Sequence, residues 1–121
     1  MVMLMRLLFV ICFLIVGVVN NLYAEELAKE EYRSMAERIG ERRTRQMMRN
    51  LSNEDKLISR DDYVNRKLTR GERREIRRDK KQGTYKSPTE EFDLMDKNKD
   101  GFLEPSEMNE FYVGRARSRY Q

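Results

Sequence analysis

A twelve-residue segment near the end of the chain, Asp96 to Glu107, constrains the fold more than any other feature. Oxygen-bearing side chains recur there at alternate positions, on Asp96, Asn98 and Asp100. Gly101 follows them, and glycine most readily adopts the positive φ at which a chain reverses direction. Apolar residues flank the segment at helical spacing: Phe92, Met95, Met108 and Phe111. The sequence therefore predicts two short helices joined by a tight, oxygen-rich loop.

This segment resembles the calcium-binding loop of the EF-hand family at every diagnostic position. The resemblance implies six calcium ligands: the side chains of Asp96, Asn98, Asp100, Glu104 and Glu107 and the backbone carbonyl of Phe102. Glu104 would act directly or through a water, and Glu107 would close the site with both of its oxygens. Calcium prefers six to eight oxygen ligands at about 2.3–2.6 Å, which explains the spacing. The alternative is a weak site, or one that prefers magnesium.

A second segment, residues 51–62, aligns with the first in register. Four of its residues match the third, fifth, eighth and twelfth positions of the loop: Asn53, Asp55, Ile58 and Asp62. Leu51, however, replaces the first aspartate, and Lys56 replaces the glycine. We therefore expect a structural partner that holds no calcium, with Ile58 paired to Leu103 so that the two loops meet back to back. An unrelated helix–turn–helix is the alternative.

The remaining pattern predicts an all-α fold, an EF-hand helix–loop–helix pair with a long connecting helix. Apolar residues at spacings of three and four predict a helix over 25–50 that enters the degenerate loop. Ser59, with Asp62 three residues later, resembles a capping box and predicts a helix that extends to about Lys80. The degenerate loop and its basic helix thus occupy 51–82. No sustained alternation of apolar and polar residues indicates a sheet.

Turn signals divide the end of the chain. Gly83 and Pro88 predict a linker over 83–91, and Thr89 is the predicted N-cap of the next helix. The intact helix–loop–helix unit then covers 92–114, with Gly114 as its predicted end. Residues 115–121 form a predicted basic tail that frays.

The first 24 residues differ in composition from the rest of the chain. Arg6 is their one charged side chain, and an apolar run extends from Leu7 to Val19. This layout, with Ala24 before the first acidic residue, is typical of a cleaved secretory signal peptide. We therefore expect an exported protein, periplasmic or secreted, after cleavage near Ala24. An uncleaved segment would tether the protein to a membrane, although a spanning helix needs about 20 apolar residues.

The segment from residue 66 to residue 81 is strongly basic. Nine Lys and Arg residues there face only three acids, Glu72, Glu75 and Asp79. One interpretation is attachment to lipid head groups, lipopolysaccharide or an acidic partner protein. Its candidate contacts are Arg73, Arg74, Arg77 and Arg78. The alternative is a solvated helix with intrahelical ion pairs. Nucleic acid is not expected, because no aromatic stacking pattern is present.

Two functions are compatible with these features. The first is an exported calcium-binding protein that acts as a sensor or adaptor, or that holds calcium as a structural staple. The second is a module that binds an anionic surface and uses the loop as a scaffold. As a sensor, the chain would expose Met95, Met108, Phe111 and Tyr112 when calcium binds; the alternative is that these residues simply fill the core. An enzyme is not expected, since residues 25–121 contain neither His nor Cys.

Overall fold

The computed structural model describes residues 1–119, which are mostly helical. The helices are α1 (Val2–Leu51), α2 (Arg60–Val64), α3 (Arg70–Gln82), α4 (Pro88–Met95) and α5 (Pro105–Arg119). Two strands of two residues each, β1 (Ile58–Ser59) and β2 (Phe102–Leu103), accompany them. The chain divides into two compact units, Met1–Met35 and the remainder from Ala36 onward. The expectation of a predominantly helical fold is confirmed.

The first unit, residues 1–35, consists of the N-terminal part of α1. It contains an apolar stretch long enough to cross a membrane, and no side chain of that stretch is buried. Such a helix is compatible with a signal peptide or with a membrane anchor. The helix begins at Val2 and not at residue 25 as expected, because this stretch contains no proline and only one glycine, Gly17, to interrupt it.

The second unit has one hydrophobic core, which all of its elements except α3 supply. The buried side chains are Met47, Ile58, Tyr63, Phe92, Met95, Leu103, Met108 and Tyr112. Phe111 is only partly buried against this cluster. Burying a side chain of this size contributes about 1.5–3 kcal/mol. The methionines that flank the loop therefore belong to the core in this structure, and not to an exposed face.

The strand pair joins the two loop segments. β1 and β2 are antiparallel, with Ile58 opposite Leu103 and Ser59 opposite Phe102. Neither Ile58 nor Leu103 has any exposed surface. The pairing of these two residues is the one that the alignment of the segments predicts.

The long connecting helix predicted after Ser59 is wrong, since α2 ends at Val64 and α3 begins at Arg70. Ser59 does cap α2, and its Oγ accepts a hydrogen bond from the Asp62 amide at 3.2 Å. Thr69 repeats the arrangement, because its Oγ1 accepts from the Glu72 amide at 3.2 Å. A side chain that satisfies a free amide in this way starts a new helix and competes with continuation of the old one.

Two other predicted helix boundaries are also wrong. α4 begins at Pro88 with Ser87 as its N-cap, so Thr89 lies inside the helix and the linker shortens to residues 83–87. Proline is favoured at this first position because the N–H that it lacks has no helical partner there. Gly114 does not end α5, which continues to Arg119. The predicted tail is therefore helical as far as Arg119, and residues 120 and 121 lie outside the described residues.

α1 and α5 approach each other closely at Gly40. Ala36, Gly40 and Thr44 are buried on one face of α1. A Cβ atom on Gly40 would lie 2.3 Å from Cγ2 of Val113 and 2.8 Å from its backbone nitrogen. Because backbone atoms cannot give way as a flexible side chain can, only glycine fits at this position.

Replacing Gly40 by alanine is expected to lower the free energy of unfolding by about 1–3 kcal/mol. The overpacking against Val113 outweighs the better helix propensity of alanine, which is worth about 1 kcal/mol. Gly114→Ala is the matched control, because that helical glycine has no neighbouring atom within 4 Å of a Cβ. It should be neutral or slightly stabilising. Urea unfolding followed by circular dichroism checks both, and equal effects would contradict the proposed close contact.

Candidate metal centre

The loop of residues 96–107 connects α4 to α5 through two residues with left-handed backbone conformation. Lys99 has a φ of 59° and Gly101 a φ of 81°. The Gly101 amide donates a hydrogen bond to Oδ2 of Asp96 at 3.0 Å. The turn therefore brings the middle of the loop back against its first residue.

The alternating oxygens of the loop are held by its own backbone. Oδ1 of Asn98 accepts from the Asp100 amide at 3.3 Å. Oδ1 of Asp100 accepts from the Phe102 amide at 3.0 Å. These bonds hold both side chains against the loop backbone.

Glu107, in the first turn of α5, ties the two ends of the loop together. Its Oε1 accepts from the Glu104 amide at 3.0 Å, and its Oε2 accepts from the Lys97 amide at 2.9 Å. Glu104 is itself half-buried and lies between β2 and α5. Phe102 lies in β2, where its backbone is fixed by the strand pair.

The side chain of Asp96 indicates whether a cation fits this loop. The residue is only 6% exposed. Its Oδ1 is buried and has no hydrogen-bond partner. An unsatisfied buried polar atom costs about 1–3 kcal/mol, and more when it belongs to a charged group. A cation beside Asp96 would satisfy this oxygen, and the other candidate donors of the loop are oxygens too, as a hard cation requires.

The carboxylates of the loop do not converge on one point in this structure. Among residues 1–119, no three His, Cys, Asp or Glu side chains are grouped closely enough to hold a metal ion. The oxygens of Glu107 and Asp100 instead accept hydrogen bonds from loop amides. A bound cation would have to compete with these bonds and draw the carboxylates together. The candidate ligands of the loop are oxygens, which suit a hard cation. A bound cation would draw these oxygens together around one point.

The second loop keeps the turn but not the ligands. Lys56 has a φ of 59°, the left-handed conformation that Gly101 adopts in the first loop. Oδ1 of Asn53 accepts from the amides of Asp55 and Leu57 at 3.0 and 3.1 Å. At the first position, however, Leu51 packs against the hydrophobic core. An apolar side chain there offers no oxygen, so this loop lacks the ligand that Asp96 supplies in the other.

The acids of α3 form an ion-pair network that the sequence interpretation missed. Glu72 lies 3.1 Å from Arg66, and Asp79 lies 2.9 Å from Arg115. The pairs around Glu75 involve Arg43, Arg115 and Arg119. These partners belong to α1, α5 and the segment before α3. The intrahelical ion pairs of the alternative interpretation are therefore absent from α3 (Arg70–Gln82). One signal in the sequence could have indicated this network. The three acids recur at spacings of three and four, which places them on one face of a helix.

The surroundings of Glu75 keep it ionised. Burial favours the neutral acid, but the hydrogen bond from Arg119 and the charges of Arg115, Arg119 and Arg43 outweigh it and lower the pKa of Glu75. Glu75 is therefore charged at neutral pH.

Two buried tyrosines connect α2, α4 and α5 within the same unit. The Tyr63 hydroxyl donates to Oε2 of Glu91 at 2.8 Å. It also lies 3.1 Å from the Tyr112 hydroxyl. Burial raises the pKa of both phenols, so both remain protonated at neutral pH. Glu91 also pairs with Arg115 at 3.3 Å, which joins the tyrosines to the ion-pair network.

No family model, no curated protein and no solved structure matches this chain. A functional assignment therefore depends on the residues and geometry of the chain itself.

Proposed function

We propose that the chain is an exported calcium-binding protein of the EF-hand type that holds one Ca²⁺ in the loop of residues 96–107. The buried, unpartnered Oδ1 of Asp96 supports this proposal most directly. It stands at the first ligand position of a loop whose turn and alternating oxygens follow the calcium-loop pattern. When bound, calcium would be held by the six ligands of the loop and would draw the exit helix toward Asp96.

The proposal pairs the two loops but assigns an ion to only one of them. The contact between Ile58 and Leu103 supports the EF-hand pair, because it joins the loops at the corresponding eighth position of each. Leu51 and Lys56 argue against calcium in the second loop, since one removes an oxygen and the other adds positive charge.

Of the two roles for calcium, we propose the structural staple. Met95, Met108 and Tyr112 fill the core of the folded chain. Calcium that binds only the folded chain stabilises it by mass action. With an affinity of about 10⁻⁴–10⁻³ M, typical of extracellular sites, about 10 mM calcium would raise the free energy of unfolding by about 1.4–2.7 kcal/mol. The apolar N-terminal helix supports export to such a compartment.

Calorimetric titration of calcium into residues 25–121 tests the proposal. We expect one equivalent to bind, and urea unfolding with and without calcium should show the stabilisation given above. The same titration with magnesium shows whether the loop prefers calcium. Two bound equivalents would mean that residues 51–62 also form a site. Absence of heat and of stabilisation at millimolar calcium would contradict calcium binding altogether.

A further inference from the structure

The outward face of α3 is uniformly basic. Its exposed cations include Arg70, Arg73, Arg74, Arg77, Arg78 and Lys81. A seventh, Lys80, lies over the Tyr85 ring at 4.9 Å. The three acids of the helix lie on the opposite face, where arginines of other segments neutralise them. The fold has therefore separated the charges of this helix, and the positive ones face solvent.

None of these seven cations forms an ion pair with an acid anywhere in residues 1–119. Arg73 does donate to the Leu68 carbonyl at 2.9 Å, which fixes its position without reducing its charge. A helix solvated through its own ion pairs would show Glu–Lys or Glu–Arg contacts at a spacing of three or four. The interpretation of α3 as such a helix therefore does not hold for this face.

The second unit's part of α1 carries a similar basic stripe. Arg38, Arg42, Arg45 and Arg49 are exposed and recur at spacings of four, three and four. They lie opposite the buried face of the helix. None of them pairs with an acid in the described part of the chain. Arg43, on another face, reaches Glu72 and Glu75 at 3.8 Å and so sets α1 beside the acidic side of α3. The outward face of α3 therefore points away from α1, and the stripe on α1 is a separate surface.

We propose that the outward face of α3 docks on the anionic phospholipid surface of a bilayer. Five of the seven cations on this face are arginines. The guanidinium group binds phosphate through two parallel hydrogen bonds, which an ammonium group cannot do. Each basic residue close to an anionic bilayer strengthens attachment about fivefold.

A bilayer fits this face better than nucleic acid does. Near the N-terminus the chain has an apolar helix long enough to cross a membrane, as a signal peptide or an anchor would be. Where that helix is retained, it and the basic face are two membrane signals in one chain. Proteins that track single-stranded nucleic acid add aromatic stacking, and α3 contains no aromatic residue.

The docking surface does not depend on the calcium proposal, because α1 and α3 contribute no ligand to the loop of residues 96–107. Docking is expected with calcium and with a chelator alike. If the chain did not bind calcium, its docking on vesicles could still be measured.

The test uses the full chain reconstituted in vesicles. Cys12→Ser removes the native thiol, and Gln82→Cys provides one thiol at the end of α3 for a fluorophore. A head-group nitroxide lipid quenches the fluorophore when α3 lies at the surface. We expect several-fold more quenching in phosphatidylcholine vesicles with about a third phosphatidylglycerol than in pure phosphatidylcholine. About 0.5 M salt should remove the difference. Equal quenching in the two vesicle types would overturn the proposal.

A matched pair of variants separates this face from general positive charge. Arg74→Gln with Arg77→Gln should lower the ratio of docked to undocked chain about 25-fold, at about fivefold per charge. Lys56→Gln with Lys86→Gln removes the same charge from exposed positions outside α1 and α3, and should leave the ratio nearly unchanged. Equal losses in both pairs would overturn the assignment to α3. If quenching were the same in all vesicles, and duplex RNA bound the chain but not the Arg74→Gln, Arg77→Gln variant, the partner of this face would be nucleic acid and not a bilayer.

Discussion

Calcium should bind the Glu107→Gln variant more than a hundredfold more weakly than the unsubstituted chain. The substitution removes one unit of charge from the residue that closes the loop. A unit charge about 2.4 Å from Ca²⁺ contributes about 3 kcal/mol even at the dielectric constant of water. Glutamine keeps one acceptor oxygen for the Glu104 amide, but its NH₂ group cannot accept the bond from Lys97. Calorimetric titration measures the change in affinity.

Asp62→Asn is the matched control for that substitution. Asp62 occupies the twelfth position of the second loop and is exposed. If this loop holds no ion, losing its charge should change calcium affinity less than twofold or so, since an exposed distant charge is screened. A large loss of affinity in Asp62→Asn would place an ion in the second loop. Urea unfolding without calcium shows whether either variant also loses its fold.

The loop geometry could be predicted from the sequence because local residues determine it. Gly101 permits the left-handed turn, and the side chains of Asn98 and Asp100 bond to amides only two residues away. The strand register was predictable for the same reason. Ile58 and Leu103 are apolar residues at corresponding positions of two similar turns, and pairing the turns buries both.

The helix boundaries that were predicted wrongly depend on competition between signals. Thr69 with Glu72 forms a capping motif inside a segment whose composition also suits a continuous helix, and the cap wins. At Gly114 the opposite occurs. The stop signal is overridden because Arg115 and Arg119 bind acids of α3, a contact between residues about 40 positions apart. Short sequence windows contain no information about such contacts.

The basic segment shows a further limit of composition. Counting charges between residues 66 and 81 shows an excess of cations, but it does not show on which face of α3 the cations lie. The structure turns Glu72 and Asp79 inward to arginines from other helices. The outward face is consequently more basic than the composition indicates, and for that reason the docking proposal rests on the structure.

The ion-pair network has a structural consequence that is separate from both proposed functions. Arg115 contacts Asp79, Glu75 and Glu91 at 2.9, 3.8 and 3.3 Å, and so joins α5 to α3 and α4. The Asp79 side chain is only 9% exposed. A buried carboxylate that loses its partner is costly, because the low dielectric of the interior penalises an isolated charge.

Arg115→Met is therefore expected to lower the free energy of unfolding by about 1.5–3 kcal/mol, the usual contribution of a hydrogen bond to a charged group. Methionine keeps an apolar stem of comparable length, so the loss reflects mainly the weaker compensation of Asp79 and Glu75, which keep Arg119 as a partner. Arg117→Met, two residues along the same helix, is the matched control. Its pair with Glu37 is half exposed on both sides, at 49% and 51%, and the substitution should change stability by less than about 0.5 kcal/mol. Urea unfolding of both variants measures the difference. Equal, small effects would mean that the network around Asp79 is solvated in the folded protein, whereas a large effect only at Arg115 would identify it as the contact that holds α3 in place.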